Sequence, residues 1–279
     1  MKTRIIVDST ADCVPEIEQR VHVVPLTVHF GQEEYVDGVT IDHKTFYKKL
    51  VESDVLPTTS QATPEAFIQE FEKAKKAGEA AVVITLASEF SGTYQSATIA
   101  AEEYENVYVV DSSSAAMGSG ILVELAFRLL DEGKSAEDIA KVLEEEKKKI
   151  VVVALVDTLE YLKKGGRVSK ATAFAGGILN IKPVLSVIDG EINLLGKARG
   201  SKMGNNLLVQ EIDKAGGIDF TKPVLLGFSG ISDALLLKYI EDSRHIWEGN
   251  LKEVRYTTVG SVIGTHAGPG AVVVAFFKP

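Results

Sequence analysis

Short clusters of small polar residues carry the side chains of this sequence that are best suited to chemistry. The segment "TTSQ" contains Thr59 and Ser60, and the segment "SGTY" contains Ser91 and Thr93. Their hydroxyl groups, together with backbone N–H groups at the start of a helix after Ser91, can donate hydrogen bonds to an acidic or anionic group. Each cluster also fits a purely structural role, because hydroxyl residues are preferred helix caps.

Two further clusters add a permanent cation and a titratable ring. The segment "KKGGR" ends in Arg167, and "THAGPG" contains His266. A guanidinium binds phosphate through a planar fork, and the unperturbed pKa of histidine lies near neutrality. The alternatives are a glycine-terminated helix end for the first cluster and a tight turn for the second. A fifth cluster, "VDSTAD" at 7–12, equally fits a helix cap.

Several common catalytic motifs are missing from the sequence. There is no GxxxxGK[ST] segment to bind nucleotide phosphates, and "MGSGILV" has Val123 where a dinucleotide fingerprint needs its third glycine. The five histidines form no HExxH pair, and "GFSGI" around Ser229 is not a GxSxG elbow. We therefore expect no metal and no cofactor, and we expect the chain not to be an enzyme on its own.

Composition narrows the partners further. A net charge of −9 with no long basic run argues against nucleic acid as a partner. No segment approaches the 18 or so apolar residues of a membrane span, so we expect a cytoplasmic protein with at most transient membrane contact. Cys13 is the single cysteine, which excludes an internal disulfide.

These side chains must be positioned by an α/β fold. The first half alternates apolar strand patterns, at 4–7, 21–30, 80–86 and 107–110, with helical patterns, an order typical of a parallel sheet. In a doubly wound sheet, ligands bind beyond the carboxyl ends of the strands. The polar clusters, each placed just after a strand or helix, are therefore predicted to converge on one crevice.

The pattern changes after residue 150. The segment 150–155 begins a new strand, and Asp189-Gly190 between two apolar runs indicates a hairpin. Further strand patterns at 224–230, 253–260 and 271–277 predict a mixed sheet. We predict two domains, 1–150 with an α/β/α parallel sheet and 151–279 with a mixed sheet.

Taken together, the clusters resemble one known family. The segments "IIVDSTAD", "PTTSQATPEAF", "SEFSGTYQSA", "LEYLKKGGRVSK", "LNIKPVL" with "DGEI" and "GKARG", and "THAGPGA" occur in the order and spacing of the DegV family. The resemblance covers almost the whole chain. It departs from the family at Ala62, where proline is frequent, and at Ala267, where threonine is frequent.

The resemblance implies a two-domain α/β protein that holds one long-chain fatty acid. Such proteins are similar to the substrate-binding subunit of bacterial fatty acid kinase, which serves phospholipid metabolism. That subunit presents the carboxyl group to a separate ATP-dependent kinase subunit, which makes acyl phosphate. Composition alone does not name this ligand.

The family's roles carry over to particular residues. Thr59 and Ser91 match the contacts to the acyl carboxyl group, with Ser60 and Thr93 as weaker candidates. Arg167 and His266 match positions that act with the phosphoryl group, and His266 also fits carboxyl binding. Asp37, in "EEYVDG", is expected to orient Arg167 or His266.

Two other functions remain open from sequence. One is a free-standing lipid-binding module with no kinase partner. The other is a stand-alone phosphotransferase or hydrolase that uses Ser91 or His266, against which stand the missing nucleotide motif and the missing triad spacing.

Overall fold

In the computed structural model, which describes residues 1–167 and 181–279, two β-sheets face each other across a shared apolar core. Parts of two motifs discussed above, residues 168–170 and 179–180, lie outside the described residues.

The first half of the chain forms a parallel sheet, a small antiparallel sheet and the helices around them. Its strands are β1 (Lys2–Asp8), β2 (His22–Val24), β3 (Thr27–Phe30), β4 (Glu33–Val36), β5 (Thr58–Ser60), β6 (Glu79–Thr85) and β7 (Val107–Asp111). Its helices are α1 (Pro15–Glu18), α2 (His43–Glu52), α3 (Pro64–Ala77), α4 (Thr93–Ala101), α5 (Met117–Asp131) and α6 (Ala136–Glu146). The order β2-β1-β6-β7 is parallel throughout, which confirms the predicted parallel sheet.

The second half forms a mixed sheet. Its strands are β8 (Ile150–Leu155), β9 (Ile181–Ile188), β10 (Glu191–Arg199), β11 (Leu225–Phe228), β12 (Tyr256–Thr258) and β13 (Val272–Phe277). Its helices are α7 (Glu160–Lys164), α8 (Ser201–Lys214), α9 (Ala234–Asp242), α10 (Arg244–Trp247) and α11 (Ser261–Ala267). In the order β10-β9-β8-β13-β11-β12, β11 and β12 are parallel and the other neighbours antiparallel, which confirms the predicted mixed sheet.

Local sequence signals account for several element ends. Thr63 caps α3 by accepting a hydrogen bond from the Ala66 N–H, Pro64 takes the first helical position, and Gly78 ends the helix at φ 66°. Asp189 and Gly190 both have positive φ, as the predicted two-residue hairpin between β9 and β10 requires.

The shared core explains how the two halves are held together. It combines β1 and β6 side chains such as Ile5 and Ile84 with β8 and β13 side chains such as Val152 and Phe277. The helix α5 is buried in the same core. Separate apolar clusters cover the outer faces of the two sheets. The domain boundary near residue 150 coincides with the start of β8, and it stays a prediction.

The helix α11 belongs to the second half by sequence but packs against the first half. Val262 lies in the same apolar cluster as Phe46 and Tyr47 of α2. The Tyr47 hydroxyl donates to the Val259 carbonyl at 2.9 Å, just before the helix begins. At Gly264 the helix comes so close to α2 that an added Cβ would lie 2.5 Å from the Tyr47 hydroxyl oxygen.

Two local predictions are wrong. The segment 21–30 forms two strands in different sheets, because Pro25 has no N–H to donate to a strand ladder. The strand predicted at 253–260 is limited to β12. Residues 58–60, for which no strand was predicted, form β5 and pair with β3.

Gly264→Ala should destabilise the protein, although glycine to alanine in a helix interior ordinarily stabilises by up to about 1 kcal/mol. The reason is the contact with Tyr47 and Phe46, since forcing a methyl group into a packed core typically costs about 1–3 kcal/mol. Urea unfolding measures the change, and an unchanged or higher free energy of unfolding would contradict the close packing of α11 on α2.

Candidate functional site

A cavity of about 390 Å³ lies between the two halves of the chain, where the predicted polar clusters meet. Thr59, Ser91, Arg167 and His266 all line it, as do Ser60 and Gln61. The sequence prediction that the polar clusters converge is therefore confirmed for the clusters of Thr59, Ser91, Arg167 and His266, which span more than 200 positions of the chain, whereas residues 7–12 do not line the cavity.

Most of the cavity wall is apolar and comes from both halves. Its apolar lining includes Leu86, Phe90, Ala115, Ala116, Val152, Leu162, Leu185, Val187, Ile192 and Val273. The sequence did not separate this wall from the core, because the same strands supply both. A largely apolar cavity with a few polar groups suits an amphipathic ligand.

The hydroxyl of Thr59 is held by His266. Thr59 lies on β5, and the end of α11 brings the His266 Nε2 atom to 3.0 Å from the Thr59 Oγ1 atom. Burial, with a smaller effect from the positive charge of Arg167, lowers the pKa of His266 to about 4. The imidazole is therefore neutral at neutral pH.

The tautomer of His266 follows from its surroundings. Among the described residues its Nδ1 atom is buried without a hydrogen-bond partner, close against Gly165. Because a buried N–H without an acceptor is costly, this arrangement favours the proton on Nε2, which then donates to Thr59. The Thr59 hydroxyl is left free to donate its own hydrogen into the cavity.

A second chain of hydrogen bonds orients Ser91. The Ala62 N–H donates to the Thr93 Oγ1 atom at 3.3 Å, and the Thr93 and Ser91 hydroxyl oxygens are 2.9 Å apart. Ser91 also accepts from the Thr93 N–H at 3.2 Å, just before α4. If Thr93 donates to Ser91, the Ser91 hydroxyl is likewise free to donate into the cavity.

The weaker candidates have different surroundings. Ser60 points to the opposite face of β5 from Thr59, where its hydroxyl lies 2.8 Å from the His29 Nε2 atom. Thr93 is fully buried behind Ser91 and supports it. Thr93 therefore supports Ser91, whereas Ser60 lines the cavity with its hydroxyl paired to His29.

Arg167 stands exposed at the cavity mouth. It follows α7 through Gly165 and Gly166, and Gly166 has φ 71°, as the predicted glycine-terminated helix end requires. Its guanidinium donates to the carbonyls of Phe90 at 3.2 Å and Gly165 at 2.7 Å. These two hydrogen bonds hold the Arg167 guanidinium at the cavity mouth.

Asp37 is not placed as expected. For the described residues, the hydrogen bonds of Arg167 go to Phe90 and Gly165, and that of His266 goes to Thr59. Asp37 lies instead near Ser261, at the opposite end of α11. Ser261 is the first residue of α11 and His266 lies five residues further along the same helix, so Asp37 does not orient His266 by direct contact.

One mouth residue was missed by the sequence reasoning. Gln61 lines the cavity beside Thr59, and its side-chain amide donates to the Ser96 hydroxyl at 3.0 Å. Gly92 gives it room, since an added Cβ there would lie 2.2 Å from the Gln61 Oε1 atom. The signal was present, because Gln61 belongs to the same "TSQ" segment as Thr59.

The described part of the chain contains no group of three or more His, Cys, Asp or Glu side chains arranged to hold a metal ion. Within residues 1–167 and 181–279, none of the helices has the length and apolar character to cross a membrane.

Comparison with known proteins gives consistent matches over the whole chain. A family model described as an uncharacterised protein family, DegV, matches residues 2–279. A DegV domain-containing protein of Caldanaerobacter subterraneus subsp. tengcongensis is 36% identical over 99% of this chain and 98% of its own length.

Solved structures extend these matches to the fold. A DegV family protein from Thermus thermophilus, described as binding fatty acid, has a TM-score of 0.88 at 31% identity, covering 99% of this chain and 100% of its own. A stearic acid-binding protein from Eubacterium ventriosum has a TM-score of 0.88 at 28% identity, covering 100% and 99%.

The pKa of His266 should make stability depend on pH. The unfolded chain binds a proton on this histidine near its ordinary pKa of 6.5, but the folded protein does so only near 4. More protons are then bound by the unfolded state in this window, so stability falls as pH drops from 6.5 to 4, by roughly 2–3 kcal/mol.

Urea unfolding of the wild type and of His266→Gln at pH 7 and pH 4.5 isolates this effect, because the buried carboxylates are common to both proteins. The variant should lose less stability on acidification. Equal losses in the two proteins would contradict a buried neutral imidazole at this position.

Proposed function

This chain belongs to the DegV family, and we propose that it binds one long-chain fatty acid, with the carboxyl group at Thr59 and Ser91. The observation that carries the proposal is the pair of hydroxyl groups, Thr59 and Ser91, that line a largely apolar cavity and are each held by a second polar group. The fatty acid ligands of the Thermus thermophilus and Eubacterium ventriosum proteins support it.

The site suits a fatty acid for two physical reasons. A carboxyl group accepts two hydrogen bonds at once, and Thr59 and Ser91 each have one to give. The acyl chain then lies along the apolar wall, where each buried CH₂ contributes about 0.8 kcal/mol. The buried acyl chain therefore supplies most of the binding free energy, and the hydrogen bonds to the carboxyl group fix the orientation of the ligand.

We further propose that the bound acid is presented to a separate ATP-dependent kinase subunit. A carboxylate oxygen attacks the γ-phosphorus of ATP, an O–P bond forms, and ADP leaves, which gives acyl phosphate. Arg167 supports this step because its exposed guanidinium lies at the mouth, where phosphoryl charge would arrive. His266 acts through Thr59, and the nucleotide site belongs to the partner.

Purified protein should carry about one fatty acid per chain, because an acyl chain buried in the cavity dissociates slowly. Native mass spectrometry followed by organic extraction measures the stoichiometry and the chain identity. The proposal fails if the extracted protein contains no lipid and also does not bind added palmitate.

Variants of the mouth should separate head-group binding from phosphotransfer. Thr59→Val and Ser91→Ala should each weaken palmitate binding by roughly 1–3 kcal/mol, since each removes a donor to a buried carboxyl group. Arg167→Ala should keep most of the palmitate binding. When the ATP-dependent fatty acid kinase subunit and ATP are supplied, the same variant should form acyl phosphate roughly tenfold or more slowly.

Arg244→Ala is a matched control, because Arg244 is a highly exposed arginine on α10, paired with Glu248. The wild-type chain without the kinase should form no acyl phosphate. Normal turnover by Arg167→Ala would contradict the role of Arg167 in phosphotransfer. No turnover by the wild type with the kinase would favour a lipid-binding module without a kinase partner, and turnover without the kinase would favour a stand-alone phosphotransferase.

A further inference from the structure

Two buried carboxylates from the first half of the chain meet the start of α11. The Asp12 Oδ1 atom accepts a hydrogen bond from the Gly260 N–H at 3.0 Å, at the residue that precedes the helix. Asp37 is 2% exposed and lies against Ser261, the first residue of the helix, with Ser9 and His43 also close to its carboxyl group.

These carboxylates are not satisfied in the way that buried acids usually are. Both oxygens of Asp37 and the Oδ2 atom of Asp12 lack a partner in hydrogen-bonding geometry within the described residues. Ser261 Oγ is buried and unpartnered as well. Burying two such acids together costs free energy, so we expect a structural role for them at the start of α11.

The position of Asp12 and Asp37 at the start of α11 indicates this role. Negative groups are stabilised next to the first turn of a helix, where N–H groups are unpaired. Burial raises the pKa of both acids, whereas the Gly260 N–H opposes the rise at Asp12 and Ser9, His43 and Ser261 oppose it at Asp37. The surrounding groups therefore offset only part of the cost of burial, and the hydrogen bond from the Gly260 N–H is the contact that ties Asp12 to the helix start.

The other end of the same helix carries the binding site. His266 lies five residues after Ser261, so about one and a half turns separate the carboxylates from the imidazole that holds Thr59. A helix this short transmits a shift at its first turn almost unchanged to its last.

We propose that Asp12 and Asp37 are positioning residues, which fix α11 in the first half of the chain and thereby hold His266 against Thr59. They touch neither ligand nor phosphate. The consequence for fatty acid affinity rests on the proposed function, whereas the consequence for His266 does not.

The test uses nitrogen NMR of the His266 ring in the full, lipid-stripped chain, which reports its tautomer and pKa. In the wild type, the Nε2-protonated form and a pKa of about 4 are expected. In Asp37→Ala and Asp12→Ala the carboxyl group at the helix start is lost, so α11 should shift away from the first half of the chain and water should reach the imidazole ring. The pKa of His266 should then rise by about one unit or more, and palmitate should bind roughly tenfold more weakly.

Two control variants separate positioning from general effects. Asp213→Asn removes an exposed charge on α8 and should change nothing. Leu208→Ala opens a cavity in the distant core between α8 and the mixed sheet, so it lowers stability without touching α11. Its His266 signals should remain those of the wild type.

Unchanged His266 signals in both aspartate variants would overturn the inference, and so would the same change in Leu208→Ala at equal loss of stability. Alanine is chosen because asparagine would keep an acceptor for the Gly260 N–H. If the His266 signals respond but the wild type does not bind palmitate, the positioning role stands and the proposed function fails.

Discussion

The site depends on the packing of α11, a helix near the end of the sequence, against α2 and other elements from the first half of the chain. Tyr47 holds the backbone before the helix, Gly264 allows the close approach to α2, and Asp12 binds the amide of Gly260. Only with this packing does His266 reach Thr59, some 200 residues earlier in sequence. The site is therefore a product of tertiary packing, not of any one loop.

At the cavity mouth, neutral groups and a charged group have different roles. Thr59 and Ser91 are uncharged donors, each oriented by a second polar group, so a carboxyl group can bind without a buried ion pair. Arg167 is the charged member and remains exposed, where its desolvation costs little. Such a site can hold an acid firmly and still leave its reactive oxygen near solvent and a partner.

The two sheet types and most of the polar residues that line the cavity could be predicted from the sequence, because short local motifs indicate them. Caps such as Thr63, the Asp189-Gly190 hairpin and the glycine-terminated end of α7 are each set by a few neighbouring residues. The role of Asp37 and the existence of α11 could not be obtained in this way. Both depend on contacts between the two halves, and a seven-residue helix with three small residues has a weak periodic signal. The cavity wall was hidden for a similar reason, since Val152 both lines the cavity and belongs to the shared core, while its neighbour Val153 belongs to the outer cluster.

A high-resolution crystal structure of the protein with its co-purified or added fatty acid tests the central claim most directly. The account predicts density for one acyl chain between the two sheets, with its carboxyl oxygens within about 3 Å of the Thr59 and Ser91 hydroxyls. It also predicts that His266 donates to Thr59 and not to the ligand. A carboxyl group bound away from Thr59 and Ser91, or a fatty acid bound elsewhere on the chain, would contradict it.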